Sequence, residues 1–113
     1  MHEASIVQQV LETAESEMAK AGGTRILRVR LRVGVMAGVV PEALTFAFEA
    51  LRAGTPADGA SLEIESCPAR FSCSACGQVE WLLKADFACP ACGGLLCIES
   101  GGTELELSQL EVT

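Results

Sequence analysis

Residues 70–97 read RFSCSACGQVEWLLKADFACPACGGLLC, and no helical or strand period runs through them. Cys73 and Cys76 make one C-x-x-C pair and Cys89 and Cys92 a second, with twelve residues between the pairs. Each pair is followed by a glycine, Gly77 or Gly93, free to take the positive φ of a tight knuckle that aims backbone N–H groups at sulfur. Four thiolates suit one tetrahedral ion, and a closed four-sulfur set leaves no position for a substrate. The spacing therefore predicts a structural metal site.

The metal is expected to be Zn(II). Rubredoxin-like modules hold iron in four sulfurs at nearly the same spacing, but nothing else in the chain looks like an electron carrier. Arg70 and Lys84 lie close in sequence and are expected to offset part of the negative charge of such a centre. Cys67 and Cys97 remain, one at each boundary of the stretch. They read as small buried apolar residues or, more sharply, as thiols facing each other at the base of the module.

Working outward, regular alternation resumes on both sides. Before the cysteines, SLEIES at 61–66 sets Leu62 and Ile64 against Glu63 and Glu65. After Gly101 and Gly102, TELELSQLEV alternates again, with a phase slip between Leu107 and Leu110 that predicts a bulge or bend near Gln109. The cysteine module is thus an insertion between two strands. Further back, residues 25–35 alternate Leu27, Val29, Leu31, Val33 and Val35 with Arg28, Arg30 and Arg32, and Gly34 and Gly38 then loosen the chain. Two helices flank that strand. Residues 5–20 carry Ile6, Val7, Val10, Leu11, Ala14 and Met18 at helical spacing, with Ser5 and Gln8 as a capping box and Gly22-Gly23 as the stop. PEALTFAFEAL at 41–51 opens on proline and lines up Leu44, Ala47, Phe48 and Leu51, and Gly54 ends it.

The expected fold class is α/β (α+β): a small three-stranded sheet packed with two helices, plus an inserted zinc-ribbon domain. Residues 1–68 and 101–113 form the α/β part, and 69–100 the ribbon inserted between the last two strands. The arginine stripe reads as the exposed face of the sheet, paired with Glu63, Glu65, Glu104 and Glu106, rather than as a phosphate site.

Bulk composition narrows function. The chain has 113 residues, half of them apolar, and a net charge of −7, which argues against general nucleic-acid binding. No apolar run is long enough to span a membrane and the start lacks a secretory layout, so a cytoplasmic location is expected. No histidine stands beside Cys67 or Cys97 to activate a nucleophile, and no glycine-rich phosphate loop carries a lysine. An enzyme is not expected.

The sole histidine is His2, in the opening MHEAS. A free α-amine has an ordinary pKa near 8 and can lose its proton to a metal at neutral pH. The Met1 amine, the His2 amide and the His2 Nδ1 can close fused five- and six-membered rings on one ion. The Glu3 amide could complete the square, and the Glu3 carboxylate could act as outer ligand or base. Planar nitrogen donors select Ni(II) or Cu(II) over zinc. Protons compete for the same nitrogens, so affinity is expected to fall steeply below about pH 6.5.

Met1-His2-Glu3 before an amphipathic helix, GVMAGVVPEALTFAFEAL, the two cysteine pairs twelve residues apart, and the closing strand together resemble the HypA/HybF family. These are nickel-delivery proteins of [NiFe]-hydrogenase maturation. The resemblance implies a nickel-binding α/β domain that carries Ni(II) at Met1 (amine) and His2, with Glu3 adjacent. It also implies a ribbon holding structural Zn(II) through Cys73, Cys76, Cys89 and Cys92. Implied partners are a HypB-type GTPase and the hydrogenase large-subunit precursor, with urease maturation proteins in some members. Neither nucleic acid nor membrane is implied as a partner, and the chain is taken as monomer or homodimer. Cys67 and Cys97 lie outside the family pattern, and no second histidine offers an axial nickel ligand. The alternative is a zinc-ribbon protein-interaction module without nickel chemistry.

Overall fold

The computed structural model describes residues 2–84 and 86–113. In order the elements are α1 (Glu3–Lys20), β1 (Ile26–Gly34), α2 (Pro41–Leu51), β2 (Ser61–Cys67), β3 (Ala69–Cys73), β4 (Val79–Leu82), β5 (Leu96–Gly101) and β6 (Leu105–Val112). Two three-stranded sheets result, ordered β2-β1-β6 and β4-β3-β5. The α+β class read from the sequence is the one observed.

α1 begins earlier than its capping pattern suggests. His2, not Ser5, is the N-cap, and no side chain caps the helix there. Ser5 lies inside the helix because backbone bonding already starts with the Ile6 N–H donating to the His2 carbonyl at 3.0 Å. The far end follows the sequence. Gly22 takes φ 75°, and the Gly23 N–H reaches the Met18 carbonyl at 2.9 Å while the Gly22 N–H reaches Ala19 at 3.1 Å. That pair of bonds is the Schellman stop. α2 has the bounds the sequence predicts, with Pro41 at its start, where a missing N–H costs nothing.

The chain divides into two compact units. The first takes residues 1–32, 39–65 and 106–113. Its helices pack on each other, and Val7, Leu11 and Ala14 of α1, Leu44 and Phe48 of α2, and Ile26, Val29 and Leu31 of β1 are buried. Apart from the methyl of Ala14, each such side chain contributes about 1.5–3 kcal/mol by leaving water. The Ile26 N–H bonds Pro56 just ahead of β2, and Arg28 and Arg30 reach Glu63 inside it, so β1 and β2 run parallel. The Thr113 N–H bonds Arg25 while Arg32 pairs with Glu106, so β6 runs antiparallel to β1.

Leu27 is 43% exposed, against the expected alternation, whereas Ile26 and Val29 are buried. β1 therefore shifts phase near its start. β6 also changes phase, with Leu107, Leu110 and Val112 half-buried. The arginine stripe is paired as a sheet face should be: Arg28 to Glu63 at 2.7 Å and Glu111 at 2.8 Å, and Arg32 to Glu106 at 2.8 Å.

The second unit takes residues 33–38 and 66–105. Its core is Ala69, Phe71, Cys73, Cys89 and Leu96, with Val35, Met36 and Leu82 packed against it. The aperiodic stretch holds three strands of its own. β3 pairs antiparallel with β4 (Ala69↔Leu82 to Ser72↔Val79) and with β5 (Ala69↔Gly101 to Cys73↔Leu96). Residues 33–38 grip the base of this sheet. The Val35 N–H donates to Cys67 at 2.9 Å, the Met36 N–H to Gly102 at 2.6 Å, and the Gly34 N–H to Glu104 at 2.7 Å. Gly34 does not loosen the chain, as expected from its type. It permits close approach, since a Cβ there would stand 2.0 Å from the Gly102 carbonyl oxygen.

Candidate metal centre

Two hairpins in the second unit each carry one cysteine pair at the tip. β3 and β4 form the arms of the first, and the Ala88↔Leu95 bridge joins the arms of the second. The knuckles repeat the same bonds. The Cys73 N–H donates to Gln78 and the Cys89 N–H to Gly94; the Gly77 N–H donates to Cys73 and the Gly93 N–H to Cys89. Gly77 and Gly93 sit at φ 76° and 78°, as the C-x-x-C-G pattern requires. Ser74 locks one tip to the other, since its N–H and its hydroxyl both donate to the Leu95 carbonyl at 3.1 Å.

This geometry brings Cys73, Cys76, Cys89 and Cys92 together, all four sulfurs within 4.8 Å of one another. Across the knuckles, Cys73 Sγ lies 3.5 Å from Cys92 and Cys76 Sγ 3.9 Å from Cys89. A tetrahedral zinc with Zn–S bonds of about 2.3 Å would set its sulfurs about 3.8 Å apart. The first cysteine of each pair is buried in the module core and the second is exposed.

Charge points the same way. The N–H groups of Cys76 and Ala75 donate to Cys73 Sγ and lower its thiol pKa to about 6. At Cys92 the Gly94 N–H pulls the pKa down, but the sulfurs of Cys73, Cys76 and Cys89 outweigh it and push the thiol up to about 12. Four sulfurs this close cannot all be thiolates without a cation among them. The donor set fits zinc.

Gly94 is a part of this centre that the sequence reading missed. A Cβ there would lie 2.9 Å from Ala75 Cβ and 3.2 Å from both Cys73 Sγ and Cys92 Sγ. The only hint in the sequence is the doubled Gly93-Gly94. Arg70, expected to soften the charge of the centre, instead pairs with Glu99 at 3.8 Å. Cys67 and Cys97 do not face each other. Cys97 stands opposite Ser72, near the metal end of the β3–β5 ladder and exposed, whereas Cys67 is buried beyond the opposite end, where Ala69 meets Gly101.

The nickel residues expected at the chain start are only partly described, because Met1 lies outside the described residues. His2 is exposed at the N-cap of α1, with φ −119° and ψ 10°. The first N–H groups of a helix have no partner within its own ladder, and at Glu3 that N–H donates to the residue's own carboxylate. The Glu3 carboxylate accepts the Val40 N–H at 3.3 Å.

Two helices, two small sheets and a closed four-sulfur cluster define an α+β protein with a zinc-ribbon-type metal centre. A family model described as "HypA: Hydrogenase/urease nickel incorporation, metallochaperone, hypA" matches residues 1–112. Hydrogenase maturation factor HypA of Geobacter metallireducens is 44% identical over 113 residues, and that of Geobacter sulfurreducens 46% over 112, with 99% of each chain covered in both cases. The solution structure of the Ni metallochaperone HypA from Helicobacter pylori superposes with a TM-score of 0.68 at 26% identity, covering 99% of this chain and 97% of that one. The chain belongs to the HypA family of hydrogenase-maturation nickel metallochaperones. No helix among the described residues is long and apolar enough to cross a membrane.

Proposed function

We propose that this chain binds one Ni(II) through the Met1 amine, the backbone amides and the His2 imidazole, and delivers it to the [NiFe]-hydrogenase large-subunit precursor. A HypB-type GTPase supplies the nucleotide chemistry that this chain lacks, and urease maturation proteins are a second class of partner. The protein is a cytoplasmic carrier, not a catalyst. Its nickel part comprises residues 1–68 and 101–113, and residues 69–100 form a zinc ribbon whose ligands are Cys73, Cys76, Cys89 and Cys92.

The observation that carries this reading is the closure of the four cysteines on one another. They satisfy one tetrahedral ion completely, which leaves the sole imidazole, exposed at the start of α1, for a different metal. Its neighbours suit that task, because nitrogen donors close together in sequence favour a planar d⁸ ion over zinc. A site at a chain end also suits a carrier, which must release what it binds.

Metal analysis of the wild-type chain and of His2→Ala tests the proposal. The variant should keep one zinc per chain and lose nickel. Full nickel retention by His2→Ala would leave the zinc-ribbon interaction module as the better reading.

A further inference from the structure

β2 is an edge strand: in the order β2-β1-β6 it pairs with β1 alone. Its span, SLEIESC, holds neither proline nor lysine, the residues that commonly blunt such an edge. Its inward side chains, Leu62 and Ile64, are only half-buried. Beside them, along the flank of α2, lies an open groove of about 370 Å³ lined by Pro41, Glu42, Thr45, Leu62 and Ile64. All five residues belong to the first unit. Side chains of a strand alternate between faces, so the inward row of one more strand, paired with β2, would point into this groove.

Charge says what kind of strand fits. Glu42 lines the groove, and Glu49, seven residues on, stands on the same flank of α2, both exposed. On its other face β2 presents Glu63 and Glu65. No cation is among the residues that line the groove. A second copy of the chain is a poor occupant. Antiparallel pairing of β2 with itself would set Glu63 and Glu65 across from each other, and like charges directly opposite destabilise a sheet.

We propose that the groove between α2 and the free edge of β2 docks an extended segment of a partner protein, one that alternates apolar residues with lysine or arginine. The segment adds a fourth strand beside β2. Its apolar side chains enter the groove against Leu62 and Ile64, and its cations lie beside Glu63 and Glu65 on the opposite face. Main-chain pairing supplies affinity, while the groove and the acidic row choose the sequence. The site shares no residue with either set of metal ligands.

The test uses the full-length, zinc-loaded chain without nickel. The probe is a capped octapeptide alternating valine and lysine, with a valine–glutamate octapeptide as control. Titration followed by amide NMR should shift the signals of Thr45 and of residues 61–65 and slow exchange of the β2 amides. The acidic peptide should do neither. Thr45→Arg fills the groove and repels the lysines, so it should weaken the basic peptide by about tenfold or more. Glu42→Gln combined with Glu49→Gln changes only charge and should weaken it by about threefold. Phe46 is 76% exposed on α2 but does not line the groove, so Phe46→Ser should leave binding unchanged.

No shift with the basic peptide, or equal binding of both peptides, would overturn the proposal. Loss of binding in Phe46→Ser would overturn it as well, moving the contact to the outward side of α2. Should Thr45→Arg fail to fold, the glutamine pair decides, and undiminished binding there would contradict the charge argument. Concentration-dependent shifts of residues 61–65 in the chain alone, matched by a dimer in sedimentation, would make the occupant a second copy and overturn the proposal.

Discussion

Gly94 shows how much a single missing methyl group decides in the metal centre. Its N–H donates to Cys92 Sγ at 3.4 Å, and a Cβ would press on sulfurs of both knuckles. Gly94→Ala should therefore spread the two tips and weaken zinc binding by about 1–3 kcal/mol, the usual scale of overpacking. Competition with a chromophoric chelator measures this, and zinc retention equal to wild type would show that the tips tolerate the methyl. The four ligands were legible in the sequence because C-x-x-C-G is a local pattern. Gly94 was not, since its constraint comes from Ala75 and Cys73 on the other knuckle. Cys97 was misplaced for a similar reason: only the β3–β5 register puts it opposite Ser72.

Among the elements, α2 illustrates where stability is concentrated. Phe48 is 1% exposed, and Phe48→Ala should cost about 3–5 kcal/mol, read as a lower midpoint in thermal or urea unfolding. Arg28 bridges Glu63 and Glu111, but all three side chains are about half exposed and screened by water, so Arg28→Ala should cost little stability. Its pH dependence has a definite sign. The hydrogen bond from Arg28 holds the Glu63 carboxyl below its ordinary value of 4.5, so the folded state favours the ionised form. That contribution is complete above the ordinary value and lost as pH falls through the lowered one. The small gap between wild type and Arg28→Ala at neutral pH should close in acid, and a gap unchanged at pH 3 would mean the pair is not its source.

Elements with an unbroken period were read well, α2 to the residue. Those whose period breaks were not. β3, β4 and β5 went unseen because they are short and one-sided, and are interrupted by knuckles whose turns follow sulfur positions rather than hydrophobic spacing. The start of α1 was misjudged because Ser5 and Gln8 match a capping box, yet the backbone bonds already begin at His2.

At the scale of the whole molecule, the second unit draws in residues 33–38, the end of β1 and the turn after it, a long-range choice that no local pattern announces. Gly34 is the closest point of that clamp. Gly34→Ala would drive a Cβ into the Gly102 backbone, which cannot step aside as a flexible side chain would. The variant should lose at least about 2–3 kcal/mol of stability, and a wild-type unfolding midpoint would contradict the clamp. Family membership covers both units, since the matched region runs over residues 1–112.

The central claim is that the amino terminus is itself a metal ligand. Adding one residue before Met1 leaves every side chain in place and moves only the amine. Metal analysis of the untagged chain beside the extended one, with zinc as the internal control, should find equal zinc in both and nickel in the untagged chain alone. Equal nickel in the two would contradict it.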